Sequence, residues 1–351
     1  MNTVRLSSDP GGAPARRAAP GTSAASGTSA AGASGRPTSP TGPATATSES
    51  SARGVAYVSA FLVLANANAV FAGNLLQSVH PFTFLFWSFF ASTVLFAVIL
   101  VATGGIRALV VDRGSAVPLA ILNGTSAFNW ICYFFALRYI EPAIVSAVMG
   151  GLGPVSTILL DRLVRGRALP RRIYLPAAGI LAGAAMLAWA SLTGRSGLLE
   201  IAVSASVIGL SAACLAGLSQ ALNTVATKRL ADRGWTATRI MVHRFYLLLA
   251  VALVLAATGP GLAFDGWSQA GLVGVATVLG VVAPLWPLQR GIILSEPFTV
   301  AAMLSLAPIL TYLFQAFDDR MHWSLASAVG CLVVTAFTVH GARIMHKGDA
   351  R

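Results

Sequence analysis

From Gly54 onward the chain alternates long uncharged runs with short charged breaks. A helix of roughly 20 apolar residues covers a hydrocarbon core about 30 Å thick. By that measure the pattern predicts spans near 55–77, 82–103, 116–138, 142–161, 173–193, 203–227, 237–258, 268–289, 297–316 and 323–342. The expected fold class is therefore all-α integral membrane, with ten transmembrane helices. Residues 1–53 are Ala, Gly, Ser, Thr and Pro with scattered Arg. So little apolar surface cannot bury a core, and the segment is expected to be a disordered N-terminal tail. It holds no apolar run of the roughly 7–15 residues that a secretory signal needs. Residues 346–351 are read as a short C-terminal tail.

The pattern also repeats. Ala136–Arg162 reads ALRYIEPAIVSAVMGGLGPVSTILLDR and Arg290–Arg320 reads RGIILSEPFTVAAMLSLAPILTYLFQAFDDR. Each copy opens with Glu-Pro, at Glu141 and Glu296, and meets a second proline after an apolar stretch, at Pro154 and Pro308. Proline suits the first turn of a helix, whereas inside a helix it removes a hydrogen bond and bends the rod. Each copy is expected to be one kinked, buried helix. At an offset of 155 residues Asn68 also matches Asn223, and Ala102-Thr103-Gly104 matches Ala257-Thr258-Gly259. Self-similarity at a long fixed period divides the chain into two halves, 54–194 and 195–345. An odd number of spans per half makes the repeats inverted. Lys and Arg collect on the cytoplasmic side of membrane proteins. With both termini cytoplasmic, 20 of the 24 Lys and Arg lie inside, Arg138, Arg195 and Arg320 lie outside, and Arg244 falls within a span.

Composition agrees with the membrane reading: 56% hydrophobic, 10% charged, mean hydropathy +0.73. Soluble domains average about 25% charged residues. The net charge of +12 is spread over the interspan loops and forms no basic face for nucleic acid. Cys132, Cys214 and Cys331 all lie in apolar runs with no CxxC spacing, so neither a disulfide framework nor a metal is expected.

Tyr133-Phe-Phe-Ala-Leu-Arg-Tyr139 leading into Glu141–Asp161, with the second copy from Gly291, resembles the EamA-type transporters of the drug/metabolite transporter superfamily. The likeness covers about 55–345. The family often closes its first copy with Glu where this chain has Asp161, and the second copy has Gln315 there. The resemblance implies two inverted five-helix halves rocking about a midplane cavity, hence alternating access for small metabolites.

Several residues are placed at that cavity. Asn68, Asn129, Tyr133, Met149, Asn223, Trp286 and Met303 lie near mid-span on core helices and are expected to contact substrate. Pro154, Pro284, Pro287 and Pro308 free backbone carbonyls inside spans, which is tolerated where neighbours or a wet cavity satisfy them. Each proline has simple kinking as its alternative, and each amide has helix-to-helix hydrogen bonding. Arg244 is read as snorkelling to the inner surface, with a charge role as the alternative. Glu141 and Glu296 are read as helix N-terminal carboxylates, with proton coupling as the alternative. Gly179-xxx-Gly183 marks a close helix contact, within one chain or between two copies in a homodimer.

Both Lys228 and Lys347 lie outside any GxxxxGK[ST] motif, so transport is expected to be secondary or facilitative, with no cofactor. The rival class is a membrane-embedded lipid- or prenyl-modifying enzyme. Those that handle diphosphates usually need clustered carboxylates to hold magnesium. Asp318-Asp319 is the single acidic pair, and no second cluster faces it.

Overall fold

A computed structural model of the chain describes residues 44–165, 171–198, 202–294 and 303–349. Among them the regular structure is helical, apart from one isolated bridge between Leu198 and Met321. The helices are α1 Ala44–Leu75, α2 Pro81–Gly104, α3 Ala116–Tyr139, α4 Pro142–Arg165, α5 Tyr174–Leu192 and α6 Val203–Ala231. There follow α7 Ala237–His243, α8 Tyr246–Ala257, α9 Trp267–Thr277, α10 Ala283–Leu294, α11 Ala307–Phe314 and α12 Leu325–Asp349.

Local chemistry fixes many of the ends. At α2 the His80 ring accepts the Phe82 N–H at 3.3 Å, Pro81 opens the first turn, and Gly105 leaves the helix at φ +72°. At α7 the Thr236 hydroxyl accepts the Arg239 N–H, an N-cap that satisfies one orphan donor. Pro142 starts α4, as its missing N–H favours.

Eight helical segments among the described residues are long and apolar enough to cross a membrane, and Pro142–Leu152 and Ala307–Phe317 are shorter apolar helices. The spans turn large apolar side chains outward: Val98, Leu175 and Leu332 are exposed, whereas Phe84, Phe134 and Leu187 are fully buried. An apolar outer surface on this scale marks contact with lipid. The chain is a multi-pass membrane protein.

The core is set by helix pairs. α3 lies along α6, and α1 along α10; α4 packs on α6, and α11 on α1; α5 meets α12, and α2 meets α8. Glycines allow the closest approaches. A Cβ at Gly217 of α6 would come within 3.1 Å of the Met149 Cα, and one at Gly179 within 2.2 Å of the Phe337 ring. Gly183 likewise lies against Val334, so the Gly179/Gly183 face is spent on α12 of the same chain.

Four expectations change. Helix α1 begins at Ala44, inside the segment expected to be disordered. The seventh span is interrupted at Arg244 and Phe245, between α7 and α8. The eighth passes through a π-helical segment, Val278–Val282, ahead of Pro284 and Pro287 in α10. The two proline copies also differ. α4 continues through Pro154, while the second copy turns at Ser305 and Leu306 before α11 starts at Ala307-Pro308. Glu296 and Pro297 lie outside the described residues.

Candidate functional site

Polar side chains in the spans gather at the two long interfaces, α3 with α6 and α1 with the α9–α10 span. At the first, Arg244 donates from Nη2 to the Asn223 Oδ1 at 2.9 Å, and Asn223 Nδ2 donates to the Ser126 Oγ at 2.8 Å. One turn along, the Ser219 hydroxyl donates to the Asn129 Oδ1 at 3.3 Å. Asn223 and Asn129 are buried, so these bonds are their satisfaction within the bilayer.

The break beside Arg244 is held by Asn123. Its Nδ2 donates to the His243 carbonyl at 2.8 Å and its Oδ1 accepts the Leu247 N–H at 3.2 Å. One carboxamide thus bridges the last turn of α7 and the first of α8. That explains how a span without proline is interrupted in hydrocarbon.

At the second interface Asn68 of α1 sits against Gly280 in the π-helical segment. A Cβ at Gly280 would fall 1.8 Å from the Asn68 Cγ, so only glycine admits the carboxamide in this position. The Asn68 Oδ1 is buried with no hydrogen-bond partner among the described residues. π-bulges and buried polar atoms without partners both recur at functional sites. Nearby, the Thr311 hydroxyl donates to the Asn66 Oδ1 at 2.7 Å and lies 2.9 Å from the Ser146 hydroxyl, tying α1, α4 and α11 together.

Each end of the bundle carries a latch. At one end Glu141 is fully buried and accepts from the Gly197 N–H at 2.8 Å, the Gln315 Nε2 at 2.7 Å and the Ser327 hydroxyl at 2.6 Å. Gln315 in turn accepts the Ala143 N–H on its Oε1 at 2.7 Å. Beside this knot Asp318 pairs with Arg320 at 2.6 Å and accepts from Asn74 at 3.0 Å. Burial pushes Asp318 up, but the hydrogen bonds and charge of Arg320, with Asn74, outweigh it and hold the carboxyl below its usual range. At the other end Trp235 donates to the Ser115 hydroxyl at 3.0 Å and to Asp112 at 3.4 Å, under an Arg239 guanidinium 4.0 Å from its ring. The Ser115 hydroxyl, with the Trp235 indole, keeps Asp112 below the ordinary carboxylate range.

This helical bundle has counterparts among known proteins. Residues 52–189 match the EamA-like transporter family. That family belongs to the drug/metabolite transporter superfamily, a transporter class rather than an enzyme class. A solved structure described only as a crystal structure of a protein covers 84% of this chain and 97% of its own, at 18% identity and a TM-score of 0.57. At that identity the likeness is one of fold. No curated protein matches the chain.

The EamA-like segment runs from α1 through most of α5 and holds Asn68, Asn129, Tyr133 and Met149. Tyr133 stacks edge-on against Trp130 and Phe134, and Met149 packs against Gly217 of α6. Beyond the segment, Asn223 joins this α3–α6 group. Met303 instead packs with Val58 and Leu62 of α1, and Trp286 is 55% exposed with its ring 5.4 Å from Tyr57. The seven expected substrate contacts therefore fall into two groups, Asn129, Tyr133, Met149 and Asn223 on α3, α4 and α6, and Asn68, Trp286 and Met303 on and around α1. Arg244, read as snorkelling, turns toward Asn223 and Ser126 on neighbouring spans. Glu141 starts α4 as expected, but its carboxylate binds groups of three other segments. Sequence reasoning passed over Ser126, Gly280, Ser327 and the bridging role of Asn123. The matched Asn68/Asn223 register pointed to the two interfaces but not to their facing residues.

Proposed function

We propose that the protein is a secondary or facilitative transporter that carries small metabolites outward across the cell membrane by alternating access. The reading treats the described helices as parts of a ten-helix fold made of two inverted repeats, 54–194 and 195–345. The observation that carries it is the symmetry of the packing pairs. An offset of 155 residues turns α1 into α6 and α3 into the α9–α10 span, so the contact of α3 with α6 is the counterpart of α10 with α1. The contact of α4 with α6 is likewise the counterpart of α11 with α1. Asn223 and Asn68 occupy equivalent places at the two equivalent interfaces.

Interfaces related in this way can exchange roles when one half rocks on the other, which is the geometry of inverted-repeat transporters. The latches support the same cycle, since each joins the first half to the second at one end of the bundle. Opening either side requires one of them to part. Small molecules would pass between the groups containing Asn68, Asn129, Tyr133, Met149, Asn223, Trp286 and Met303, with the lipid bilayer as the other partner and no nucleic acid. Pro284, Pro287 and Pro308 stand at the irregular backbone next to this path. The Lys and Arg distribution supports cytoplasmic termini.

Metabolites released by cells with and without the protein, followed by flux of the differing compounds into proteoliposomes, test the function. Protein-dependent flux without ATP is expected; turnover of a lipid-linked substrate with no flux would overturn the reading. Tags after Arg17 and Lys347 should be cytoplasmic, and one in the Gly259–Gly266 loop external.

A further inference from the structure

Arg244 is a permanent cation placed well inside a membrane span, and among the described residues no carboxylate pairs with it. Counting about 1.5 Å per helical residue, Arg244, Asn223 and Ser126 lie roughly 10–15 Å from the Trp235 ends of their helices, close to mid-depth. An arginine at that depth is costly to insert and is a functional candidate by default. The bland explanation is that the cation caps the C-terminus of α7. Arginine does so by donating to the last carbonyls, but here the His243 carbonyl is taken by Asn123 and the guanidinium bonds go to side chains.

Those bonds aim the group rather than fill it. Asn223 accepts at 2.9 Å, while both contacts with the Ser126 Oγ are 3.4 Å. Nη1 meets only the Met241 sulfur, at 3.8 Å. A thioether is a weak acceptor, so this edge of the guanidinium has donors to spare. Ser126 already accepts from Asn223, which leaves its own hydroxyl hydrogen free to donate outward. Beside the guanidinium the Phe245 ring, 5.1 Å away, is fully buried against Phe89 at 4.6 Å, which keeps this side of the group dry.

We propose that Arg244, oriented by Asn223 and assisted by Ser126, recognises the carboxylate of a small substrate. The chemistry is charge-assisted donation from guanidinium to carboxylate, among the strongest polar contacts a dry site offers. The inference rests on the transporter reading and narrows its substrate class to organic monoanions.

The test uses the purified full-length protein in nanodiscs, with thermal unfolding read against concentration of indole-3-acetate and benzoate, each beside its amide at equal ionic strength. At least one carboxylate should half-saturate at about ten-fold lower concentration than its amide. Arg244→Gln should abolish that preference, Arg244→Lys should keep part of it, and Ser126→Ala, which leaves the cation in place, should weaken it. Equal response to acid and amide, no response to either, or a preference that survives Arg244→Gln would overturn the proposal. Protein-dependent flux confined to neutral or cationic compounds would sink this site while leaving the transporter standing. Carboxylate binding lost in Arg244→Gln, without flux of any compound, would do the reverse.

Discussion

Exchanging two side chains across the buried latch offers a sharp test of its hydrogen-bond bookkeeping. In the native knot the Glu141 Oε1 receives the Gln315 Nε2, while its Oε2 receives both the Gly197 N–H and the Ser327 hydroxyl. The Gln315 Oε1 is fixed by the Ala143 N–H. In Glu141→Gln the new amide nitrogen has two places to go. Facing Gly197 it opposes a backbone N–H. Facing Gln315 it forces that amide to flip, and the flipped amide then opposes the Ala143 N–H. Either way one buried donor is stranded, at about 1–3 kcal/mol. Gln315→Glu alone sets two carboxyl groups face to face, and one must take up a proton. In the double variant Glu141→Gln with Gln315→Glu every bond is restored. The amide introduced on α4 donates to the introduced carboxylate, its oxygen accepts from Gly197 and Ser327, and the carboxylate accepts from Ala143. Equilibrium unfolding of the full chain in detergent should therefore show two destabilised single variants and a double variant near the native value, so that the coupling equals the sum of the two single losses. Additive losses, or a Glu141→Gln variant within about 0.5 kcal/mol of native, would show that the hydrogen-bond directions assigned to the knot are wrong.

Gly280→Ala should cost about 1–3 kcal/mol by overpacking against Asn68, and Asn68→Ala should recover most of it; a melt unchanged by Gly280→Ala would refute the close approach. Asn123→Leu should strand the His243 carbonyl and the Leu247 N–H at about 1–3 kcal/mol each, with faster hydrogen exchange at Leu247 as the local sign and native exchange as the contrary result. Asp318, whose carboxyl is held below its usual range, contributes stability present above the ordinary carboxylate pKa of about 3.9 and lost as pH falls through its lower folded value. The stability gap between native and Asp318→Asn protein should thus be constant near neutrality and shrink below about pH 4; a gap that widens on acidification would contradict the pairing.

The spans were legible because length and hydropathy are local properties. α2, α3 and α5 fall within a residue or two of the ranges read from the sequence. Their interruptions were legible only where proline announced them. The turn ahead of Pro308 and the irregular backbone ahead of Pro284 are of that kind. The break at Arg244 is not, since its support comes from Asn123, more than a hundred residues earlier in the chain. A periodicity reading tests whether a residue suits the turn it sits in. It has no access to a distant amide that takes over the bonds of that turn. The same limit hid the latch at Glu141, where a carboxylate that looked like a helix N-terminal ornament is held by Gly197, Gln315 and Ser327.

The repeat register exposes a further asymmetry. It singled out Asn68 and Asn223, because an amide kept at both positions survives comparison of the two halves. The same comparison discards whatever differs between them, and that is where the interfaces acquire their chemistry. Asn223 faces Ser126 and a cation, whereas Asn68 faces Gly280 with its oxygen unpaired. Under the 155-residue offset the counterpart of Arg244 is Phe89, a fully buried ring packed on Phe245. If the two halves are related as proposed, a cation on one side only would hold an anion off the symmetry axis, nearer α3 and α6. The path past Asn68 then presents an acceptor where the path past Asn223 presents donors. On the proposed cycle, rocking would change access to the site while the carboxylate stays with the α3–α6 group, so the two interfaces would have unequal parts in recognition even though they share one packing geometry.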